Sequence, residues 1–481
     1  MKRTKRHILI LSLLSALLLT ACYDFDRYEN VAAGEQPVSH ESGADSSYIN
    51  LHIVNNATTT RATAAEENAI YDGILCIFEG NGESAATLKS AVVIDQLINN
   101  PGNSSSITVT QRLAGTHNYN GNKLYALVLL NTTSTGFNVQ NNMLYLNGSS
   151  LSGKTRAEIQ SMTINSVGSP DEHVGLYMTN TVKDDNTVLR IIYNNDPSKQ
   201  SYLYDTPEAA AGGNRQTINV ERAAAKVSVT NNATSQLTSI KLNPRISDSE
   251  NRNPYVHKMT WTLNKYNTKS YAIRTGSTTS NNWATSLNEL TTLTAKDFSL
   301  YPQQSHSQDV VYIGENTTGN NTEAIVEVQL KDNNNMLIHE AYVFRPSDDS
   351  FVENAYTDIY TSAEQYIAYL RDELPPAKKE DYSLETVDNA DIFKYATVTL
   401  GDNGAVTITL VNSDLTAVQQ TGLTGLAEFL SSHTTGFRDG KMYYTYKIKH
   451  NDTPTYGVVR NNVYNLTLQS SSITRIGRPT P

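Results

Sequence analysis

The sequence predicts an all-β protein, mainly strands with a few short helices, folded as two mostly antiparallel β-sandwiches. Three observations predict it. The first is composition: of 481 residues only 18% are charged and 38% hydrophobic, and the rest is rich in Asn, Ser and Thr. The 28 Tyr against 9 Phe and 2 Trp suit short strands with a wet face better than amphipathic helices. The second is period two, with apolar residues alternating in many short segments. The third is a restart of that pattern near residue 217, which fits a chain of this length at ~100–200 residues per domain. A net charge of −10, from 38 Lys+Arg and 48 Asp+Glu, leaves no electrostatic footprint for nucleic acid and excludes it as a partner.

The chain opens on Lys2, Arg3, Lys5 and Arg6, followed by an apolar run from Ile8 to Leu19 that is too short to span a bilayer. This is the build of a secretory signal over residues 1–21. It closes on Leu19-Thr20-Ala21-Cys22, which resembles a bacterial lipobox. That resemblance implies lipidation of Cys22, which becomes the mature N-terminus and ties the precursor to the outer membrane. At about 0.8 kcal/mol per buried CH₂, several acyl chains on one cysteine anchor stably. Asp24 and Asp26 resemble the acidic signal that sends some lipoproteins to the cell surface. The second cysteine, Cys76, lies in Gly73-Ile74-Leu75-Cys76-Ile77-Phe78 and reads as a buried strand residue. A reactive thiol would need a basic, part-exposed setting.

Residues 23–46 are polar and read as a tether. Residues 48–54 then place Ile49, Leu51 and Ile53 on one face of a half-buried strand. The strand runs into a polar stretch, residues 55–63, in which Arg61 is the one basic residue. Further strands are expected at 107–111, 124–130, 143–146, 188–193 and 202–204. Past the restart they are expected at 217–222, 225–230, 258–263, 270–274, 310–313 and 324–330. Two hairpin-like pairs follow. Residues 396–400 and 405–411 are joined by Gly401-Asp402-Asn403-Gly404, whose Asn and Gly tolerate positive φ; residues 441–449 and 458–468 flank a longer turn. One helix is expected at 361–374, stopped by Pro375-Pro376.

One motif points towards chemistry. Gly148-Ser149-Ser150-Leu151-Ser152-Gly153-Lys154-Thr155 fits the P-loop pattern, in which backbone N–H groups wrap phosphates, Lys reaches them and Thr holds Mg²⁺. The segment before it is short and flanked by Asn. The hydrophobic-run-plus-Asp at 91–95 precedes it instead of following. The expectation is a Gly/Ser turn that enters a short helix. The ten His form no metal-spaced cluster with Cys, no GxSxG elbow exists and no carboxylate pair stands out. Asp171-Glu172-His173 reads as a solvated loop. No catalytic, metal or cofactor site is assigned, and the chain is not read as an enzyme.

Several stretches together resemble the fimbrillin superfamily, the type V pilus subunits of Bacteroidetes-type Gram-negative anaerobes. They are YDGILCIFEGNG (71–82), NVERAAAKVSV (219–229), MTWTLNKYNTKSYAIR (259–274) and YGVVRNNVYNLTLQSSSITRIG (456–477), the last being the most distinctive. The resemblance implies two transthyretin-like sandwich domains and no enzymatic activity. It also implies that an Arg-specific maturation protease cuts the loop after the first strand, and that a stalk fimbrillin fills the emptied groove with its own strand. Carried onto this chain, Arg61–Ala62 is the scissile bond and Ile49, Leu51 and Ile53 mark the removable strand. Arg27, the only other Arg between Cys22 and Ile70, would leave that strand in place. The implied organisation is a signal at 1–21, a propeptide at 22–61, an N-terminal sandwich at 62–216 and a C-terminal sandwich at 217–481.

The physics suits such a step. Withdrawing three apolar side chains from a core forfeits roughly 1.5–3 kcal/mol each, and each ladder hydrogen bond adds about 0.5–1.5 kcal/mol. An emptied seat with an unpaired edge therefore favours refilling by strand addition. The sequence runs four residues past Ile476-Gly477 without a further alternating strand, so the expected place is the pilus tip, a subunit that accepts but does not donate. The expected location is the outer membrane for the lipid-anchored precursor and then an extracellular fimbrium, with a host or bacterial surface ligand as a further partner. The alternatives are a stalk fimbrillin or a monomeric surface lipoprotein that binds glycan or host protein.

Overall fold

The computed structural model describes residues 46–55, 65–99, 106–114, 122–169, 174–183, 187–194, 201–232, 236–243, 253–267, 269–274, 309–316, 322–345, 358–450 and 457–481. Cys22, Arg61 and Ala62 lie outside them. Ser47–Pro481 cluster as one unit and Met1–Ser46 as another, of which only Ser46 is described.

The first half contributes β1 (Ser46–Asn55), β2 (Gly73–Gly80), β3 (Thr87–Val93), β4 (Ser106–Ala114), β5 (Lys123–Leu130), β6 (Met178–Asn180), β7 (Arg190–Tyr193), β8 (Leu203–Tyr204) and β9 (Gln216–Arg222). They form a nine-stranded sheet in the order β8-β1-β9-β6-β5-β2-β3, with β4 also on β1 and β7 also on β5. Period two sorts the side chains of β2 and β5 into two cores. Ile74, Cys76, Phe78, Tyr125, Leu127 and Leu129 enter one, while Leu75, Ile77, Leu124, Ala126, Val128 and Leu130 enter the other. Ile49, Leu51 and Ile53 of β1 join the second core, with Val109 and Leu113 of β4. Strands of one sheet thus meet across one core, because the sheet folds back on itself as a sandwich. Cys76 is fully buried in β2, and burial pushes its thiol far above the ordinary range.

The second half contributes β10 (Ala225–Asn232), β11 (Tyr255–Asn264), β12 (Asp309–Ile313), β13 (Glu323–Lys331), β14 (Glu340–Phe344), β15 (Thr397–Leu400), β16 (Val406–Thr409), β17 (Thr434–Arg438), β18 (Lys441–Lys447) and β19 (Val463–Gln469). Two three-stranded sheets, β12-β10-β19 and β11-β13-β18, meet over Val227, Leu263, Ile313, Ala324 and Tyr464. The structure is mainly strand, with few helices. The named helices are α1 (Arg156–Gln160), α2 (Ala363–Glu373) and α3 (Ala417–Ser432). Helix α2 starts on the N-cap Ser362 and stops at Leu374, ahead of the expected proline pair.

Three local readings change. Helix α3 was not expected: Thr416 and Gln419 close a capping box, and Leu423, Leu426 and Leu430 pack with the aromatic side chains of α2 and β14. Residues 441–449 and 458–468 do not form a hairpin. Instead β18 pairs β13 while β19 pairs β10, so the connection crosses between the two facing sheets. The sandwiches are mostly antiparallel, as expected, with β1–β9 and β10–β19 as parallel pairs. Finally, β9, which the sequence grouped with the second half from residue 217, pairs with β1 and β6 in the first sheet. Sheet membership changes at Ala223-Ala224, between β9 and β10.

Candidate functional site

The seat of β1 is built from both directions. On one side β1 pairs antiparallel with β8, Tyr48 opposite Tyr204 and Ile49 opposite Leu203. On the other it runs parallel to β9, from Leu51 opposite Gln216 to Asn55 opposite Val220, and β4 is a third partner of the strand. Ile49, Leu51 and Ile53 are each 0% exposed. The strand is more deeply held than its alternation implies, because the other face is covered too. Asn50 is buried and donates from Nδ2 to the carbonyl of Ala210, 3.1 Å away, in the short helix Pro207–Gly212. His52 Nδ1 lies 3.0 Å from Thr108 Oγ1 of β4. Alternation sees only the apolar face; a polar face buried by hydrogen bonds is invisible to it.

The chain beyond residue 65 is pinned without help from β1. Glu67 is buried between two cations: Arg222 Nη1 donates to its Oε2 at 2.9 Å and Lys226 Nζ donates to its Oε1. Arg222 closes β9 and Lys226 opens β10, so one carboxylate ties this segment to both halves. Asn131, held at φ 56°, adds a second anchor. Its Nδ2 donates to the carbonyls of Ala69 and Leu176, and its Oδ1 accepts from the Tyr71 amide. Between β1 and this segment a hydrogen bond runs from Asn55 Nδ2 to Asn68 Oδ1, 3.0 Å. β1 is thus seated among apolar neighbours, next to a segment that has anchors of its own. Sequence reasoning missed Glu67 and Asn131, although Arg222 and Lys226 both lie in the stretch 219–229 singled out above.

The P-loop-like segment is spent on structure. The Gly153, Lys154 and Arg156 amides donate to the carbonyls of Leu88, Leu151 and Ala86, and Thr155 caps α1 through a capping box with Glu158. Its N–H groups and hydroxyl are turned to the fold, as a turn entering a short helix requires. Among the described residues no group of His, Cys, Asp and Glu is gathered as a metal would need.

The distinctive stretch near residue 460 is a junction. Arg460 is 0% exposed, pairs with Glu315 at 2.9 Å and donates to Ser270 Oγ and the Tyr271 carbonyl. Beside it Arg274 meets Glu221 of β9 at 2.7 Å, and burial pushes the Glu221 carboxyl up despite that partner. The Asn461 amide donates to the Ala224 carbonyl, and its Oδ1 accepts from Arg222 Nε.

Residues 435–481, spanning this junction together with β18 and β19, match the family model described as Major fimbrial subunit protein type IV, Fimbrillin, C-terminal. The resemblance to fimbrillins therefore holds over that C-terminal segment, in a chain whose described residues are mainly strand. A comparison with curated proteins gives no match. Among solved structures the chain is similar to a fimbrial assembly protein from Parabacteroides distasonis ATCC 8503, at 13% identity and a TM-score of 0.33 over 59% of this chain and 81% of that one. It is also similar to the tip fimbrial protein Mfa3 from Porphyromonas gingivalis, at 9% identity and 0.29 over 65% and 85%. The fimbrial anchor protein Mfa2 from the same organism gives 8% identity and 0.26 over 58% and 76%.

Proposed function

We propose that the chain is a pilus subunit made as a lipid-anchored precursor, with β1 as a removable plug and the seat it leaves as the acceptor for a neighbouring subunit's strand. One observation carries this reading. A strand with three apolar side chains wholly buried is covalently continuous with the rest of the fold only through residues 56–64, which contain Arg61. Beyond them Glu67 and Asn131 keep the remaining chain in place, and the β9 wall of the seat stays paired to β6 when β1 leaves. The maturation protease is Arg-specific, the lipid sits on Cys22, and the subunit moves from the outer membrane to an extracellular fimbrium. At the tip the subunit accepts a strand and gives none; in support, β19 is tied to β10 from Val463 to Gln469 and is not free to be given away.

The test is Arg61→Ala in the full precursor. Surface fimbriae from cells with the natural chain should contain a mature N-terminus at Ala62, read by N-terminal sequencing, with immunogold label confined to fibre ends. The variant should stay on the membrane with Cys22 as its first residue and be absent from fibres. Fibres containing subunits that still begin at Cys22 would end the proposal.

A further inference from the structure

A recess of about 820 Å³ opens in the second half between β18 and the segment after β19. Its size lies within the roughly 300–1,000 Å³ of small-ligand sites. Lys265, Arg345, Arg475 and Arg478 line it, with Tyr443 and Tyr444, and Glu323 is the single side-chain carboxylate among the lining residues. That local excess of cations stands out in a chain whose net charge is −10.

The walls are built to stay in place. Arg345 Nη2 donates to the carbonyls of Ile476 and Gly477 at 3.4 and 3.0 Å, and Tyr443 and Arg478 exchange backbone hydrogen bonds of 2.9 Å. Arg478 also donates to Thr445 Oγ1. The Tyr444 hydroxyl donates to the Arg475 carbonyl at 3.0 Å, and the Tyr443 hydroxyl to Glu327 at 2.8 Å, so both rings are fixed by their far ends. Lys265 sits at φ 56°, a conformation that L side chains rarely adopt. Its carbonyl accepts from Asn316 Nδ2 and Thr322 Oγ1, at 2.7 and 2.9 Å, which hold the backbone there. The result is a Lys held at the recess, 3.1 Å from Glu323.

We infer that this recess is a binding site for an anionic saccharide, a short glycan bearing a carboxylate or sulfate. Guanidinium groups pair with carboxylate and sulfate oxygens through parallel N–H donors, and tyrosine rings offer rigid, amphipathic faces. A pyranose ring with a charged substituent presents the matching pair, an apolar C–H face beside an anion. An acidic peptide would satisfy the cations and leave the Tyr443 face without that partner. The site lies away from β1, and its occupancy does not depend on strand exchange.

The experiment titrates the full chain, without its signal, with 3′-sialyllactose, 3′-sulfolactose and lactose by calorimetry at low salt. Binding of either charged sugar, at least tenfold tighter than lactose and weakening as salt is raised, is the expected result. Preference for the first or the second assigns the carboxylate or the sulfate. Arg475→Ala with Arg478→Ala, both exposed, should weaken binding at least tenfold, whereas Arg371→Ala on α2 should leave it unchanged. Equal binding of lactose, equal binding of penta-aspartate, or an unaffected double variant overturns the inference. So does a double variant that blocks subunit association after cleavage, because the recess would then be a subunit contact. The Arg61→Ala precursor should bind the sugars like the natural chain, which separates failure here from failure of the pilus reading.

Discussion

Leu51 marks how much of the site a single residue discloses. Its place in the alternation with Ile49 and Ile53 was legible, because apolar side chains every second residue have one physical use in a strand. Leu51→Ala should destabilise the precursor by about 2–5 kcal/mol, seen as a lower urea midpoint with an unchanged slope. The same change should leave a strand-exchanged, cleaved subunit at its original stability, since the residue is no longer there. Glu67 was not legible. Its partners Arg222 and Lys226 lie 155 and 159 residues away, and nothing local in Ala65–Asn68 distinguishes a buried carboxylate from a solvated one. Glu67→Gln leaves two cations facing a neutral amide, one of them buried, and should cost about 3–5 kcal/mol in the same measurement. Lys265 was equally hidden, because the bonds that hold its backbone come from Asn316 and Thr322 in a distant segment.

Strands were the most readable elements, and the turn at 401–404 shows why. Leu400 pairs with Val406 and Gly404 takes φ 80°, as the local chemistry requires. Helix α3 shows the opposite case. Its segment carries Gly422, Gly425 and several Thr, residues that argue for turns when read locally. Tertiary packing explains the glycine: a Cβ on Gly422 would lie 2.0 Å from the Tyr382 carbonyl oxygen, so the helix approaches that backbone only with hydrogen there. Gly422→Ala should therefore lower the thermal midpoint although alanine is the better helix former. Thr416→Ala, which removes only the cap, should cost about 1 kcal/mol by chemical denaturation. The failed hairpin at 441–449 and 458–468 has a related cause. Two alternating segments in sequence pair locally unless each has a better partner, and β13 and β10 are those partners.

For the whole molecule, the strand content and its packing as sandwich-like sheets were legible from the alternation, while the strand at which sheet membership changes was not. Residues 217–222 alternate as well as 225–230 do, and only the pairing of β9 with β1 and β6 assigns them to the first sheet. A protease nick at Arg61 should accordingly not open the molecule at once. The cut precursor should keep residues 22–61 through native size exclusion and lose them only as urea approaches the midpoint. Dye binding to exposed apolar surface should then rise, and a synthetic peptide of residues 46–55 should suppress it. Release of the segment immediately upon cleavage would contradict the double-sided seating of β1. That seating has a directional corollary: of its three strand partners, β9 runs parallel and β8 antiparallel to it. A ribbon threaded backwards would meet β8 and β9 with the wrong ladder. Any filament propagated through this slot therefore possesses a heading, with growing and finished extremities that are chemically unlike.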